Sequence, residues 1–197
     1  MTSSAIESLP LQTERLRLRL CGAADAQALF ALHSAPETMR YWNSPAWTSI
    51  EQAHEAIKHD ADAFRRGESL SLGLETLDDA RLIGRCMLFN ISPTHRRAEL
   101  GYALIASAWG KGYMGEALRK LVGYGFTHLD LHRIEAEIDP RNAASRKTLE
   151  RLGFQHEGLL RERWVVNGET SDGAVYGLLR PDWHGLQTAS LPESPRA

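Results

Sequence analysis

Cysteine is scarce in this 197-residue chain: there are two thiols, Cys21 and Cys86, each in a strand-like segment. Two thiols exclude a disulfide framework and a cysteine-built metal centre, and both are expected to be free and buried. Charge of one sign is lacking too. Lys and Arg number 23 against 25 Asp and Glu, and a net charge of −2 gives no field that would attract nucleic acid. No apolar run approaches the ~20 residues of a membrane span. Met1 to Pro10 carries no basic segment followed by an apolar one, so a cytoplasmic location and no membrane partner are expected. The chain shows no internal repeat and no domain boundary. With 43% hydrophobic residues it reads as one globular domain over 1–184, followed by a loose tail over 185–197 without core-forming runs. His128 and His132 stand four apart around Asp130. The first ends a helix-like run and the second starts a strand-like one, so helical ligand spacing is not expected to hold, and no metal is expected.

What the chain does have is a glycine-rich turn, Trp109-Gly110-Lys111-Gly112-Tyr113-Met114-Gly115. The run before it, Ala98 to Ile105, is short and apolar and reads as a buried strand. After it, Ala117, Leu118, Leu121, Val122 and Phe126 mark one face of a helix. Glycines allow close backbone approach, and the first-turn N–H groups of a helix have no intrahelical acceptor, so the unit suits an anionic ligand such as a phosphate. Gly110-x-Gly112-x-x-Gly115 also spells the dinucleotide fingerprint, but that fingerprint follows the first strand of a βαβ series, whereas about ninety-five residues precede this turn. A phosphate-binding P-loop is excluded because Gly112, not Ser or Thr, follows Lys111.

A second segment makes the pattern specific: the strand Ile134 to Ile138, then Asn142-x-x-Ser145 opening a helix, then Leu152-Gly153-Phe154. This pair of segments resembles the two acyl-CoA motifs of the GNAT superfamily of N-acetyltransferases. With Glu157-Gly158 and Asn167-Gly168 beyond, the order is similar to the RimJ/RimL-like branch that acetylates ribosomal-protein α-amines. The resemblance spans about residues 12 to 183. Two positions depart from the superfamily pattern, Trp109 where Gln or Arg is usual and Met114 where a small residue is usual, and neither removes a backbone N–H.

The resemblance implies an α/β (α+β) fold, a mixed central sheet of about seven strands flanked by about four helices, and the element reading agrees. Glu14 to Leu20 alternates as a strand. Ala24 to His33 is a short helix stopped before Pro36, and Thr48-x-x-Glu51 caps a longer one. Ser69 to Thr76 and Leu82 to Asn90 pair across Asp78-Asp79, and Asn167-Gly168 turns a late hairpin.

The resemblance also implies an acetyl-CoA-dependent transferase with no metal and no covalent enzyme intermediate. The loop Trp109, Gly110, Lys111, Gly112, Tyr113, Met114 and Gly115 would take the CoA pyrophosphate. Backbone around Tyr102, Ala103, Leu104 and Ile105 would take the acetyl and pantetheine parts, and Asn142 the pantetheine amides. Glu99 and Glu137 are the candidate bases, each on a strand flanking the groove, where one register error would turn the carboxylate away. Ser145 is the candidate acid for the departing thiolate, with Tyr176 in reserve, because the position seven after Asn142 is Leu149. Acceptor selection falls to Pro36–Trp47 and the late hairpin with Trp164 and Asp172. The acceptor is a primary amine: a protein or peptide N-terminus, a ribosomal one included, or else a small amine, amino acid or drug. A non-catalytic acyl-CoA-binding module is the other class. A monomer and a homodimer are both compatible with the sequence.

Overall fold

Leu16 and Leu18 are fully buried while Arg17 and Arg19 turn outward, the period of two that a strand with one covered face requires. In the computed structural model, which describes residues 9–183, that strand joins a sheet of eight. The strands are β1 (Leu11–Gln12), β2 (Leu16–Arg19), β3 (Leu70–Thr76), β4 (Leu82–Ser92), β5 (Arg97–Leu104), β6 (Arg133–Ile138), β7 (Gln155–Val166) and β8 (Glu169–Leu179). Their spatial order is β1-β2-β3-β4-β5-β6-β8-β7, antiparallel throughout except for the parallel pair β5–β6. Five α-helices accompany them: α1 (Ala26–Ser34), α2 (Pro36–Met39), α3 (Ile50–Arg66), α4 (Tyr113–Thr127) and α5 (Ala143–Arg151). The tail expected over 185–197 lies outside the described residues.

The sheet separates two unlike layers. On one face the even-numbered residues of β5 and β6, Ala98, Leu100, Ile134 and Ala136, join Leu118, Leu121, Val122 and Phe126 of α4 in the main core. The opposite face carries charge. Arg85 is buried there and donates to Asp60 of α3 and to Ser71, both at 2.7 Å. A smaller cluster, Ala26, Leu29 and Ala53, holds α1 against α3. Among the described residues no helix is long and apolar enough to cross a membrane.

The fold expectation holds with two short additions. β1 has two residues, too few to leave a periodic signal, and α2 begins at Pro36 itself. Proline stops α1 and fits the first turn of the next helix, where no N–H is needed. The capping position also moves by one. Ser49, not Thr48, caps α3, and Gln52 reaches back to the amides of Thr48 (2.8 Å) and Ser49 (3.1 Å). Asn167 and Gly168 adopt φ of 51° and 83°, the left-handed pair that a two-residue hairpin turn needs. Cys21 is half-buried just beyond β2 and Cys86 is buried in β4; both are free thiols. His128 stacks on Tyr124 and shares a hydrogen bond with Thr127 Oγ1 at 2.7 Å.

His33 is a buried imidazole packed between indoles, with Trp47 at 4.4 Å and Trp42 at 5.4 Å between centroids. Its Nε2 has no hydrogen-bond partner among the described residues, and burial, with Arg85 nearby, pushes its pKa down to about 3. In the unfolded chain the same ring titrates at 6.5. The neutral ring therefore favours the fold fully above that value, and the contribution is lost as pH falls toward 3, at about 1.4 kcal/mol per pH unit. His33→Phe is expected to flatten the fall of unfolding free energy between about pH 6 and 4, which urea titrations across that range would measure; an unchanged slope would contradict it.

Candidate active site

Hydrogen bonding between β5 and β6 covers three pairs, Arg97 with Arg133, Ala98 with Ile134 and Glu99 with Glu135, and then stops. Beyond it β5 stays on β4 and β6 stays on β8, so the two strands diverge and leave a gap. The Ile105 N–H donates to Ile83 O at 2.9 Å. By the alternation of an antiparallel ladder, the amides of Ala103 and Ile105 therefore face β4, and those of Tyr102 and Leu104 face the gap. Of the expected backbone residues Tyr102, Ala103, Leu104 and Ile105, the first and third thus turn their N–H groups toward the gap.

The glycine loop closes one end of the gap. Gly110 and Gly112 have φ of +73° and +82°, a region that other residues rarely adopt, and Gly112 starts α4 with no capping side chain. The first α4 amide with an intrahelical acceptor is Glu116, onto Gly112 O at 3.1 Å. The amides before it point out of the helix end, and a Cβ on Gly115 would meet open space. Lys111 is exposed, and Tyr113 and Met114 lie half-buried against the core. Trp109, half exposed, donates its Nε1–H to Leu104 O at 2.8 Å, which caps the last β5 carbonyl and sets the indole at the mouth of the gap.

On the core side of the gap stands a pair of hydroxyls. The Tyr102 phenol lies 2.6 Å from Ser145 Oγ and 3.3 Å from Ser145 O, joining β5 to α5. Burial pushes the phenol's pKa up to about 12 even though Ser145 favours its ionised form, so it keeps its proton at neutral pH. Asn142 caps α5, its Oδ1 accepting from the Ser145 N–H at 3.0 Å, which leaves the side-chain NH2 as its donor. Tyr176 is buried on β8 edge-on to His156, with Glu150 and Arg146 as its charged neighbours. The partner of Ser145 is thus the hydroxyl of Tyr102, a residue the sequence pointed to for its backbone alone. Nothing in the local pattern marks that side chain, since the contact spans 43 residues.

The opposite side of the gap carries the carboxylates. Glu99 accepts from Asn90 Nδ2 at 2.9 Å and sits where the β5–β6 pairing ends. Two residues along that face, Glu137 accepts from Trp164 Nε1 at 2.6 Å and Arg163 Nε at 3.3 Å. Gly173 makes room for it, because a Cβ there would overlap the Glu137 carboxylate. A pocket of about 310 Å³ opens between the segment from Pro36 to Ala46 and the β7–β8 turn, with Trp42, Asp139, Arg141 and Glu169 in its wall and Glu137 outside it. Both segments expected to face the acceptor contribute to its wall, but Trp47, Trp164 and Asp172 do not. Arg141 binds Asp139 through Nη2 at 2.6 Å and Glu169 through Nη1 at 2.6 Å, so both pocket carboxylates are ion-paired.

Residues 15–155 match the acetyltransferase (GNAT) domain family. The uncharacterized N-acetyltransferase p20 of Bacillus licheniformis is 38% identical over 89% of this chain and 98% of its own length. The [ribosomal protein uS5]-alanine N-acetyltransferase of Escherichia coli is 28% identical over 91% of this chain and 95% of its own. Among solved structures, the spermidine N-acetyltransferase of Vibrio cholerae in complex with CoA and spermine superposes with a TM-score of 0.77 at 25% identity, covering 86% of this chain and 98% of that one.

Asp139 is buried. Burial alone would raise its pKa, but the Arg141 guanidinium and amide overcome this and hold the carboxyl below its usual range. The pairing favours the fold above the ordinary carboxylate pKa and is lost as pH falls through the depressed one. Arg141→Ala is expected to move the Asp139 pKa upward past its ordinary value, read by NMR titration of the carboxyl carbon. A pKa unmoved by the substitution would show that Arg141 is not what holds it down.

Proposed function

This chain belongs to the acetyltransferase (GNAT) family, and from that premise we propose that it moves the acetyl group of acetyl-CoA onto the α-amino group of a protein or peptide N-terminus. N-acetyl transfer with acetyl-CoA as donor follows from the family, and the α-amine is the reading the pocket supports best. The observation that carries it is the pairing of Asp139 and Glu169 to Arg141. A polyamine such as spermidine needs uncompensated carboxylates, and these are neutralised; a chain end carrying one amine needs only a cavity and a proton acceptor. The similarity to an enzyme named for the uS5 alanine supports the same reading.

In this reading the N–H groups of the 110–115 loop hold the pyrophosphate, the amides of Tyr102 and Leu104 take the pantetheine and the thioester oxygen, and the Asn142 NH2 donates to a pantetheine amide. Acetyl-CoA supplies the electrophilic thioester carbonyl. Glu137, on the same strand face as Glu135, accepts a proton from the amine as the N–C bond forms. Ser145 donates one to the thiolate as the C–S bond breaks, with the Tyr102 phenol as the proton source behind it. Proton acceptor and donor then stand on opposite faces of the sheet, with the thioester between them. A single domain over 1–184 suffices for all these parts.

Thiol release measured over a panel of N-terminal peptides, polyamines and small amines tests the acceptor; turnover of spermidine above every peptide would replace the α-amine reading. Gly112→Val, which places a β-branched residue at φ +82°, is expected to weaken acetyl-CoA binding at least ~tenfold, or ~1.4 kcal/mol, by calorimetry. Glu137→Gln is expected to lower turnover ~10²-fold with acetyl-CoA affinity near wild type. Should Glu99→Gln show the larger loss, the base is Glu99. Ser145→Ala and Tyr102→Phe are each expected to slow the single-turnover rate without changing the dissociation constant; a lower melting point with normal chemistry would make the pair structural.

A further inference from the structure

We propose that Arg15, anchored by Glu116, is a positioning residue that fixes the Lys111–Gly112 peptide so that the Gly112 N–H is presented to the pyrophosphate. The inference rests on the assignment of the 110–115 loop as the acetyl-CoA pyrophosphate site. Arg15 precedes β2, about a hundred residues before the loop. Its Nη1 donates to Lys111 O at 3.0 Å, and its Nε and Nη2 donate to Glu116 Oε2 at 2.7 and 2.6 Å. The Arg15 N–H and the Thr13 hydroxyl donate to the other Glu116 oxygen at 2.9 and 2.5 Å. The guanidinium also covers the Tyr113 ring, 4.6 Å from its centroid. Burial would raise the Glu116 pKa, but the Thr13 and Arg15 donors outweigh it and keep the carboxyl ionised below its usual range.

The C=O and N–H of a trans peptide lie in one plane and point in opposite directions. Holding the Lys111 oxygen toward Arg15 therefore turns the Gly112 N–H away from it. Gly110 and Gly112 flank Lys111, and glycine resists reorientation least, so a loop chosen for close ligand approach needs an external brace. The Arg15 charge is already matched by Glu116, so its work is geometric.

The test measures dissociation constants by calorimetry for CoA and for pantetheine, which lacks the pyrophosphate, with melting temperatures recorded for every variant. Arg15→Ala and Glu116→Gln are each expected to weaken CoA about tenfold and leave pantetheine unchanged, and the double variant to be no weaker than either single one. Arg15→Lys is expected not to restore binding, because its donors sit on one nitrogen and cannot reproduce the planar spread of Nη1 to Lys111 O and Nε and Nη2 to Glu116. Tighter CoA binding by Glu116→Gln would mean that Arg15 meets the phosphate directly and would overturn the proposal, as would equal losses for CoA and pantetheine. If Gly112→Val weakens CoA and the Arg15 variants do not, the brace fails alone; if Gly112→Val binds CoA normally, the loop assignment fails.

Discussion

Two parallel strands hydrogen-bond over three residue pairs and then part, and the polar backbone beyond Glu99 and Glu135 must be satisfied by something other than sheet. β4 takes the outer edge of β5, β8 takes the outer edge of β6, and Trp109 caps the Leu104 carbonyl. What is left over is a short row of inward amides at Tyr102 and Leu104. A slot lined by backbone donors accepts a ligand rich in amides and carbonyls because it replaces the ladder that is missing. The glycine loop, the Asn142 cap and the Tyr102–Ser145 bridge all lie around that break.

The break would be an unstable fault without the difference between the two faces. The α4–α5 face is apolar and close-packed, so it holds the diverging strands by burial. The other face is built from ion pairs in sequence along the sheet: Arg19 with Asp25 and Glu75, Arg85 with Asp60, and Arg97 and Arg133 with Glu135. Such pairs gain little net stability, but each one satisfies a charge that would be costly alone. The glycines at 101 and 173 add no side chain to this face, the first beside Met87 and Phe89 and the second beside Glu137.

The parts readable from sequence were those whose cause is local. Gly110, Gly112, Asn142 and Asn167-Gly168 do their work within four residues of themselves, and each takes the backbone role its residue type suggests. The alternation of Leu16, Leu18 and their arginines likewise carries its own explanation. Long-range contacts left no such mark. The bond from Tyr102 to Ser145, the Arg15–Glu116 pair and the Trp164 donor to Glu137 depend on which strands become neighbours, and no short window encodes that. The direction of the Ala103 and Ile105 amides was hidden for a related reason: it follows from the register with β4, where one step reverses every peptide.

The contact between Arg15 and Glu116 spans 101 residues, and that separation has a kinetic meaning. Closing so long a loop costs entropy that only a largely assembled sheet can offset, so the contact belongs to the late stages of folding. β2 exists early on a growing chain but has no helix end to hold until α4 has been made and docked. On the role proposed for Arg15, the glycine loop is braced only once the first strands are seated, and a chain collapsed around α4 without them would be compact and yet grip acetyl-CoA poorly. Competence to bind the cofactor is, in this reading, a report that the first strands have found a helix made about a hundred residues later.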